Sequence, residues 1–116
     1  MLFNKTNKKM LMQTVRIAST SFNKLKGLMF ENQQKFDYAL VFPLPRESIA
    51  MATIHMLFVF FPIDVVYLDK NKKVVDIAKG LQPFTPSYSP KKPSKFFIEL
   101  PAGKSKGISL GDELGW

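Results

Sequence analysis

Apolar and polar residues alternate with a period of two along several short stretches of this chain. Within residues 13–18, Val15 and Ile17 share one face while polar side chains share the other, which predicts a half-buried strand. The same reasoning predicts further strands at residues 38–42, 53–61, 63–68, 74–78 and 96–100. A Gly-Asp turn within residues 107–116 predicts a closing hairpin or bend.

The most apolar stretch, residues 53–61, carries apolar side chains on both faces and therefore predicts a strand buried on both sides. It lies in a run of sixteen residues, 48–63, that contains no Asp, Glu, Lys or Arg. A helix that crosses a membrane needs roughly 20 apolar residues, so we predict no membrane span. The first residues, MLFNKTNKKMLMQT, contain no apolar stretch of the length that a secretory signal needs, and we expect a cytoplasmic protein.

Turn-forming residues separate the predicted strands. The sequence DKNKK at residues 69–73 predicts a hairpin loop with Asn71 near its tip. Because proline lacks a backbone N–H, Pro43 and Pro45 are predicted to end the second strand. Four prolines within residues 82–94 predict a long extended loop.

These elements define a mainly β fold. One short helix is predicted over residues 22–26, after a run of residues that can cap a helix and before Gly27. Strands and helices do not alternate, which argues against a parallel doubly wound sheet. We predict a small β-sandwich or barrel of about seven strands. Residues 1–12 are interpreted as a loosely held lead-in and residues 13–116 as a single β domain.

The composition narrows the possible chemistry. The 116 residues are 46% hydrophobic, so the chain is long and apolar enough to bury one core. It contains no cysteine, which excludes disulfides, thiol catalysis and cysteine zinc sites. Its single histidine, His55, excludes a metal site with two histidines. We expect no metal and no cofactor.

Two catalytic motifs are missing from the sequence. The residues GKS at 103–105 end like a phosphate-binding loop, but that motif needs a glycine where this chain has Ile98. No G-x-S-x-G nucleophile elbow is present either. An enzyme is therefore the less favoured interpretation, and a hydrolase that uses His55 with Asp64 or Glu99 stays open as an alternative.

Four segments carry a family resemblance: KGLMF at 26–30, HM at 55–56 leading into FPIDVVYLD at 61–69, IELPAG at 98–103, and GD at 111–112. In this order they resemble the family called domain of unknown function 192, over roughly residues 14–114. The resemblance implies a small, mainly β domain with a jelly-roll-like β-sandwich or a distorted barrel. His55 stands where many exported-looking bacterial members have Trp, so the chain is similar to archaeal members. The resemblance implies no established activity.

The candidate ligand-binding residues lie near the apolar run, on the strand at residues 96–100 and in the proline-rich loop. Glu99 alternates with apolar neighbours and shares a face with Phe97, and a carboxylate beside an aromatic ring suits a polar ligand with an apolar ring face. A solvated Glu99 is the simpler structural interpretation. The candidate ligand-binding residues are Arg46, His55, Asp64, Phe84, Tyr88 and Glu99. We favour a non-catalytic binding module for a small ligand or carbohydrate.

Asp64 and His55 each have a structural interpretation as well. A charged side chain on a buried face must be paired or hydrogen-bonded, so Asp64 caps backbone groups or accepts from a ligand. His55 is either a site residue near neutral pH or a neutral ring bonded to the backbone. Pro62 interrupts the register between the two, which leaves open whether they share a cleft.

An electrostatic binder of nucleic acid or another polyanion is the main alternative. The formal net charge is +8, from 17 Lys and Arg residues against 9 Asp and Glu residues. The lysines that would form the contact lie around one predicted strand: Lys91, Lys92, Lys95, Lys104 and Lys106. Lysine dominates this charge, whereas the planar fork that matches phosphate geometry belongs to arginine. A solvated, lysine-coated surface therefore explains the same charge.

Overall fold

The computed structural model describes residues 1–20 and 26–116, which form two β-sheets. The strands are β1 (Leu2–Asn4), β2 (Lys9–Met12), β3 (Val15–Ile17), β4 (Ala39–Ser48), β5 (Ile63–Leu68), β6 (Val74–Leu81), β7 (Ser94–Pro101) and β8 (Leu114–Gly115), and a 3-10 turn lies at Gln33–Lys35. The predicted mainly β class is confirmed, as two open sheets and not as a closed barrel. The helix predicted over residues 22–26 falls, apart from Lys26, outside the described residues. No helix in the described part of the chain is long and apolar enough to cross a membrane.

The larger sheet is built around β7. Its strand order is β3-β4-β7-β5-β6, in which β3 and β4 run parallel and the other neighbours antiparallel. β5 pairs with β7 so that Val65 lies opposite Glu99 and Val66 lies opposite Ile98. All six residues of β5 are buried, because successive side chains point to opposite faces and both faces are covered.

A three-stranded sheet, in the order β2-β1-β8, covers one face of the larger sheet. Leu2 and Leu114 from the smaller sheet belong to the same apolar cluster as Val66 and Ile98. The loosely held lead-in predicted for residues 1–12 is therefore wrong. β1 pairs with β2 and also with β8, so the first strands of the chain form one sheet with the last strand.

Asn4 ties this first hairpin to the closing loops. Its side chain is fully buried, and Nδ2 donates to the Gly107 carbonyl at 2.9 Å and to Asp112 Oδ2 at 2.8 Å. Asn4 Oδ1 accepts from the backbone N–H of Thr6 at 3.0 Å. Both ends of the buried amide are thus satisfied, as burial requires.

Irregular chain covers the other face of the larger sheet, and the strand predicted over residues 53–61 is wrong. Ile54 makes one isolated bridge with Tyr88, and Phe58 has a left-handed φ of 59° that regular strands do not contain. The buried side chains of this connection are Ala52, Ile54, Met56, Val59 and Phe61. The run is apolar throughout because these side chains fill the core while the others form an exposed surface.

The prediction that Pro43 and Pro45 end the second strand is also wrong, because both lie inside β4. β3 pairs only with Ala39–Val41. Within the described ranges, no strand pairs with this edge of β4 beyond Val41. Proline, which has no backbone N–H to donate, is therefore tolerated there. On the opposite edge, the register with β7 shifts between Pro43 and Ser48.

The hairpin predicted at residues 69–73 is confirmed as the connection between antiparallel β5 and β6. Asp69 Oδ1 accepts hydrogen bonds from the backbone N–H groups of Asn71 at 2.9 Å and Lys73 at 3.0 Å. An Asp that bonds its own loop in this way is a standard turn device.

Asp64 bonds β6 and the loop after β7 on the face of the larger sheet that carries Val66. Its Oδ1 accepts from the backbone N–H of Gly80 at 2.9 Å. Its Oδ2 accepts from the N–H groups of Gly103 at 3.1 Å and Ser105 at 3.0 Å, and from Ser105 Oγ at 2.6 Å. Four donors around one buried carboxylate hold the loop after β7 against β5 and β6.

Replacing Asp64 with Asn turns an amide NH₂ toward these donors. We expect the free energy of unfolding of Asp64→Asn to fall by about 2–4 kcal/mol, because buried N–H groups lose their acceptor. Urea denaturation of the two proteins measures the difference. Asp37→Asn, at an exposed aspartate, is the matched control and should shift stability by less than about 0.5 kcal/mol. An Asp64→Asn protein as stable as its parent would contradict this role.

Candidate functional site

A cavity of about 490 Å³ lies over the face of the larger sheet that carries Phe97 and Glu99. Residues from β4, β7, the turn at 26–29 and the connection at 51–59 line it. Its apolar lining consists of Leu28, Met29, Phe42, Leu44, Pro45, Met51, Ile54, Val59 and Phe97. Its polar lining consists of Lys26, Thr53, His55 and Glu99. A mostly apolar cavity with a few polar groups is the usual form of a small-molecule site.

The pairing of β4 with β7 builds the floor of this cavity. Phe42 lies opposite Phe97 in the register, and the two rings stack with centroids 4.4 Å apart. Leu40 lies opposite Glu99. Because β-strand side chains alternate, Phe97 and Glu99 share this face while Ile98 and its apolar partners face the smaller sheet.

Glu99 is the buried polar group of the floor. Its side chain is 6% exposed, which overturns the simpler expectation of a solvated carboxylate. Its Oε1 has no hydrogen-bond partner among the residues that the structure describes. Burial raises the pKa of Glu99 to about 8, because a carboxylate loses its hydration in an apolar cavity. At neutral pH Glu99 is therefore mainly a carboxylic acid.

Two buried tyrosines lie close enough to Glu99 for its charge to raise their pKa values. Tyr67, on β5, is fully buried and its hydroxyl also has no partner within the described ranges. Burial raises the pKa of Tyr67, and the charges of Tyr88 and Glu99 add to that rise. Tyr38 has a pKa raised mainly by burial, with a smaller contribution from Glu99. Both phenols stay neutral donors at physiological pH.

Gly27 lets the turn at residues 26–29 lie close over the floor. A Cβ atom at this position would lie 3.6 Å from the Phe42 ring and 3.8 Å from Glu99 Oε1, and its φ of 50° is in the left-handed region. Glycine adopts that conformation without strain. The turn therefore closes one side of the cavity directly above the Glu99 carboxyl.

The remaining polar groups sit on the cavity wall with partners of their own. Lys26 Nζ forms an ion pair with Glu31 Oε1 at 2.7 Å. Thr53 Oγ1 donates to the Ile49 carbonyl at 2.9 Å. His55 Nδ1 accepts from the backbone N–H of Leu57 at 3.2 Å, so the neutral ring carries its proton on Nε2.

Four exposed phenylalanines form a surface cluster next to this wall: Phe30, Phe58, Phe60 and Phe84. The rings of Phe30 and Phe58 stack at 4.9 Å, and Phe60 meets Phe84 edge to face at 5.1 Å. Phe30, Phe58 and Phe84 all have left-handed φ values between 59° and 63°, a strained choice for a bulky residue. The sequence analysis did not predict this cluster, because it expected residues 53–61 to be buried on both faces.

The structure brings together two of the predicted site residues, His55 and Glu99, in one cavity. Asp64 lies opposite Leu100 in the register, so its side chain is on the other face of the sheet. Arg46 is exposed, one residue beyond the cavity residue Pro45.

The two aromatic residues predicted to bind a ligand from the proline-rich loop, Phe84 and Tyr88, do not line the cavity. Tyr88 stacks on Tyr67 at 6.0 Å and donates from its hydroxyl to Asp76 Oδ2 at 3.1 Å. Phe84 belongs to the exposed phenylalanine cluster. The sequence analysis did not predict Thr53 and Lys26 as wall residues. Both lie on connections that are distant in sequence from β7, and nothing in the local pattern indicates that these connections pack over that strand.

The five candidate polyanion-binding lysines are divided between the two ends of β7. Lys91 and Lys92 precede the strand, and Lys104 and Lys106 follow it. Eight residues of strand separate the groups by about 25 Å. Lys95 lies within the strand, where its ammonium donates to the Leu44 carbonyl and lies 5.0 Å from the Phe96 ring centre. A polyanion bound by all five lysines would have to extend along the whole strand.

The described residues hold no group of three His, Asp or Glu side chains that could bind a metal ion. The fold and the cavity define a small β-sandwich protein with a ligand-sized, mostly apolar cavity. The sequence matches the model of domain of unknown function 192, described as uncharacterised, over residues 2–116. The chain belongs to this family.

Relatives and solved structures agree with this assignment. A UPF0127 protein of Thermococcus sibiricus is 42% identical over 118 residues, which cover 100% of this chain and 74% of that protein. A UPF0127 protein of Pyrococcus furiosus is 37% identical over 99% of this chain and 97% of its own length. The resemblance to archaeal members is confirmed by these relatives.

The same fold occurs in two bacterial crystal structures. A protein of unknown function from Novosphingobium aromaticivorans superposes with a TM-score of 0.78 at 25% identity, over 88% of this chain and 74% of that one. A protein from Sinorhizobium meliloti superposes with a TM-score of 0.78 at 23% identity, over 87% of this chain and 79% of that one. The second likeness shows the fold alone.

The raised pKa of Glu99 predicts a pH dependence of stability. Between about pH 4.5 and pH 8 the unfolded chain releases this proton and the folded chain keeps it. The free energy of unfolding should therefore fall by roughly 1 kcal/mol per pH unit from this group in that window. In Glu99→Gln this contribution is absent, so its stability should decline less than that of the parent. Urea denaturation across the window compares the two.

The matched control removes an exposed carboxylate. Glu47→Gln leaves Glu99 in place and should keep the steeper decline of the parent protein. If Glu99→Gln and the parent lose stability with the same slope, Glu99 is not protonated in the folded state.

Proposed function

We propose that this protein is a non-catalytic binding module that holds a small, mostly apolar ligand in the cavity above Glu99. The cavity volume of about 490 Å³ lies within the range of small-molecule sites, roughly 300–1,000 Å³. Nine apolar side chains contribute to its lining and would bury the body of such a ligand. This is the binding function expected from the sequence, narrowed toward apolar ligands.

The observation that carries the proposal is the unpartnered carboxyl of Glu99 in the cavity floor. Buried polar groups in folded proteins are almost always hydrogen-bonded, and one left without a partner costs about 1–3 kcal/mol. A ligand polar group above the floor would satisfy Glu99. Oε1 itself has almost no surface open to the cavity, so the carboxyl would turn toward the ligand to recover this cost.

A carbohydrate is less well matched to this lining. A sugar exposes several hydroxyl groups that need partners when they leave water. The polar side chains that the described residues place in the lining are Lys26, Thr53, His55 and Glu99, and the first three already have partners. The cavity therefore favours a ligand with one polar group over one with many.

The hydrolase alternative has less support. His55 and Asp64 lie on different sides of the larger sheet, and Asp64 uses both oxygens to hold backbone N–H groups. No hydrogen bond joins His55 to Glu99 in the described part of the chain. A general base needs an orienting partner of this kind to activate a nucleophile.

Amide NMR titrations with isopropylbenzene and, separately, with maltose test the proposal. We expect isopropylbenzene to shift the amides of Phe42, Phe97 and Glu99, and we expect maltose to leave them unchanged. Met51→Trp should weaken isopropylbenzene binding at least about tenfold by filling the cavity mouth, since Met51 lines the cavity and is partly exposed.

The matched control places the same large side chain outside the cavity. Met10→Trp lies on β2 at an exposed position and should bind isopropylbenzene like the parent protein. If isopropylbenzene shifts no cavity amide, or if both tryptophan variants weaken its binding equally, the cavity is not the binding site. Shifts caused by maltose alone would favour the carbohydrate alternative.

A further inference from the structure

We propose that the cavity selects ligands that carry an uncharged oxygen acceptor on an aromatic or branched apolar body, and that Glu99 donates the hydrogen bond that recognises this oxygen. The inference rests on the proposed function and adds the chemistry of the ligand's polar group. It follows from the surroundings of Glu99, from the charges on the wall and from the shape of the floor.

The surroundings of Glu99 make it a donor. Its carboxyl lies in the cavity floor with Phe42 and Phe97 and under the Gly27 turn, and none of the described residues bonds a cation to it. Desolvation is the cause that keeps its proton in place at neutral pH. A carboxylic acid has one O–H donor, and the complementary ligand atom is an oxygen with a free lone pair.

The charges around the cavity disfavour a cationic ligand. Of the described residues, the titratable or charged groups that face the Glu99 carboxyl or line its cavity are Lys26, Tyr38, His55 and Tyr67. None of these is an anion at neutral pH, and the chain as a whole carries a net charge of +8. For a ligand ammonium to pair with Glu99, the carboxylic acid would have to release its proton to solvent, and the ammonium would remain buried near Lys26.

An anionic ligand is also disfavoured. Among the described residues the cation on the wall is Lys26 Nζ, which is already paired with Glu31 at 2.7 Å. A carboxylate that entered the apolar cavity would lose its hydration without gaining a free counter-ion. An uncharged acceptor, such as a carbonyl oxygen, avoids both costs and still satisfies Glu99.

The floor indicates the shape of the ligand body. Phe42 and Phe97 stack to form a continuous aromatic surface beside the Glu99 carboxyl. A flat ring lying on these side chains makes favourable offset or edge contacts. If a carbonyl group is attached directly to such a ring, its oxygen lies next to the apolar ring and can accept a hydrogen bond from Glu99.

Three isosteric probes separate these head groups: acetophenone, with a carbonyl; 1-phenylethylamine, a cation at neutral pH; and isopropylbenzene, with no polar group. Amide NMR titration near ~pH 6, where Glu99 holds its proton, gives the three dissociation constants. We expect acetophenone to bind about threefold to tenfold more tightly than isopropylbenzene, the effect of one net hydrogen bond. 1-Phenylethylamine should bind more weakly than either.

Two variants assign the preference to Glu99. Glu99→Gln keeps an N–H donor that does not titrate, so acetophenone binding should be equal near ~pH 6 and ~pH 9.5, whereas the parent should lose its preference at the higher pH. Glu99→Leu removes the donor and should bind acetophenone and isopropylbenzene equally. The apolar replacement of a buried, unpartnered carboxyl is expected to fold, and Glu99→Gln provides a second test of the donor.

The outcomes separate the inference from the proposed function. If isopropylbenzene binds in the cavity but acetophenone binds no better, or if 1-phenylethylamine binds as tightly, the cavity stands as a site and the head-group inference is overturned. A preference for acetophenone that survives in Glu99→Leu also overturns it. If none of the three probes shifts a cavity amide, the proposed function itself fails.

Discussion

The central position of β7 between β4 and β5 is the constraint on which the rest of this structure depends. A strand with neighbours on both edges and cover on both faces must send alternate side chains into two separate interiors. Ile98 and Leu100 enter the interior shared with the three-stranded sheet, while Phe97 and Glu99 enter the one covered by loops. The cavity is therefore a consequence of how β7 is covered.

Two buried carboxyl groups show how differently the sheet uses its two faces. Asp64 is surrounded by backbone N–H donors and a serine hydroxyl, and it holds the loop after β7 against β6. Glu99 is surrounded by apolar side chains, and its Oε1 has no hydrogen-bond partner among the described residues. A buried carboxylate whose oxygens all accept hydrogen bonds indicates a structural role. A buried carboxyl with an oxygen that lacks a hydrogen-bond partner, beside a cavity, is typical of a ligand-binding site.

Local patterns were sufficient to predict β5, the hairpin after it and the shared face of Phe97 and Glu99. The failures arose where pairing is non-local. The first hairpin has no partner nearby in sequence, because β1 pairs with β8 at the other end of the chain. Residues 53–61 resemble a strand because the sequence does not distinguish apolar side chains that are buried from those that are exposed. The burial of Glu99 was equally hidden, since its cover comes from residues distant in sequence.

The most direct test is a ¹³C NMR titration of the glutamate side-chain carboxyls. The chain contains four glutamates, Glu31, Glu47, Glu99 and Glu113, and the resonance missing in Glu99→Gln identifies Glu99. We predict that this resonance titrates near pH 8, well above the ordinary range for glutamic acid. If the Glu99 carboxyl instead titrates in that ordinary range, it is ionised at neutral pH. Glu99 would then not be the buried acid on which the binding site depends.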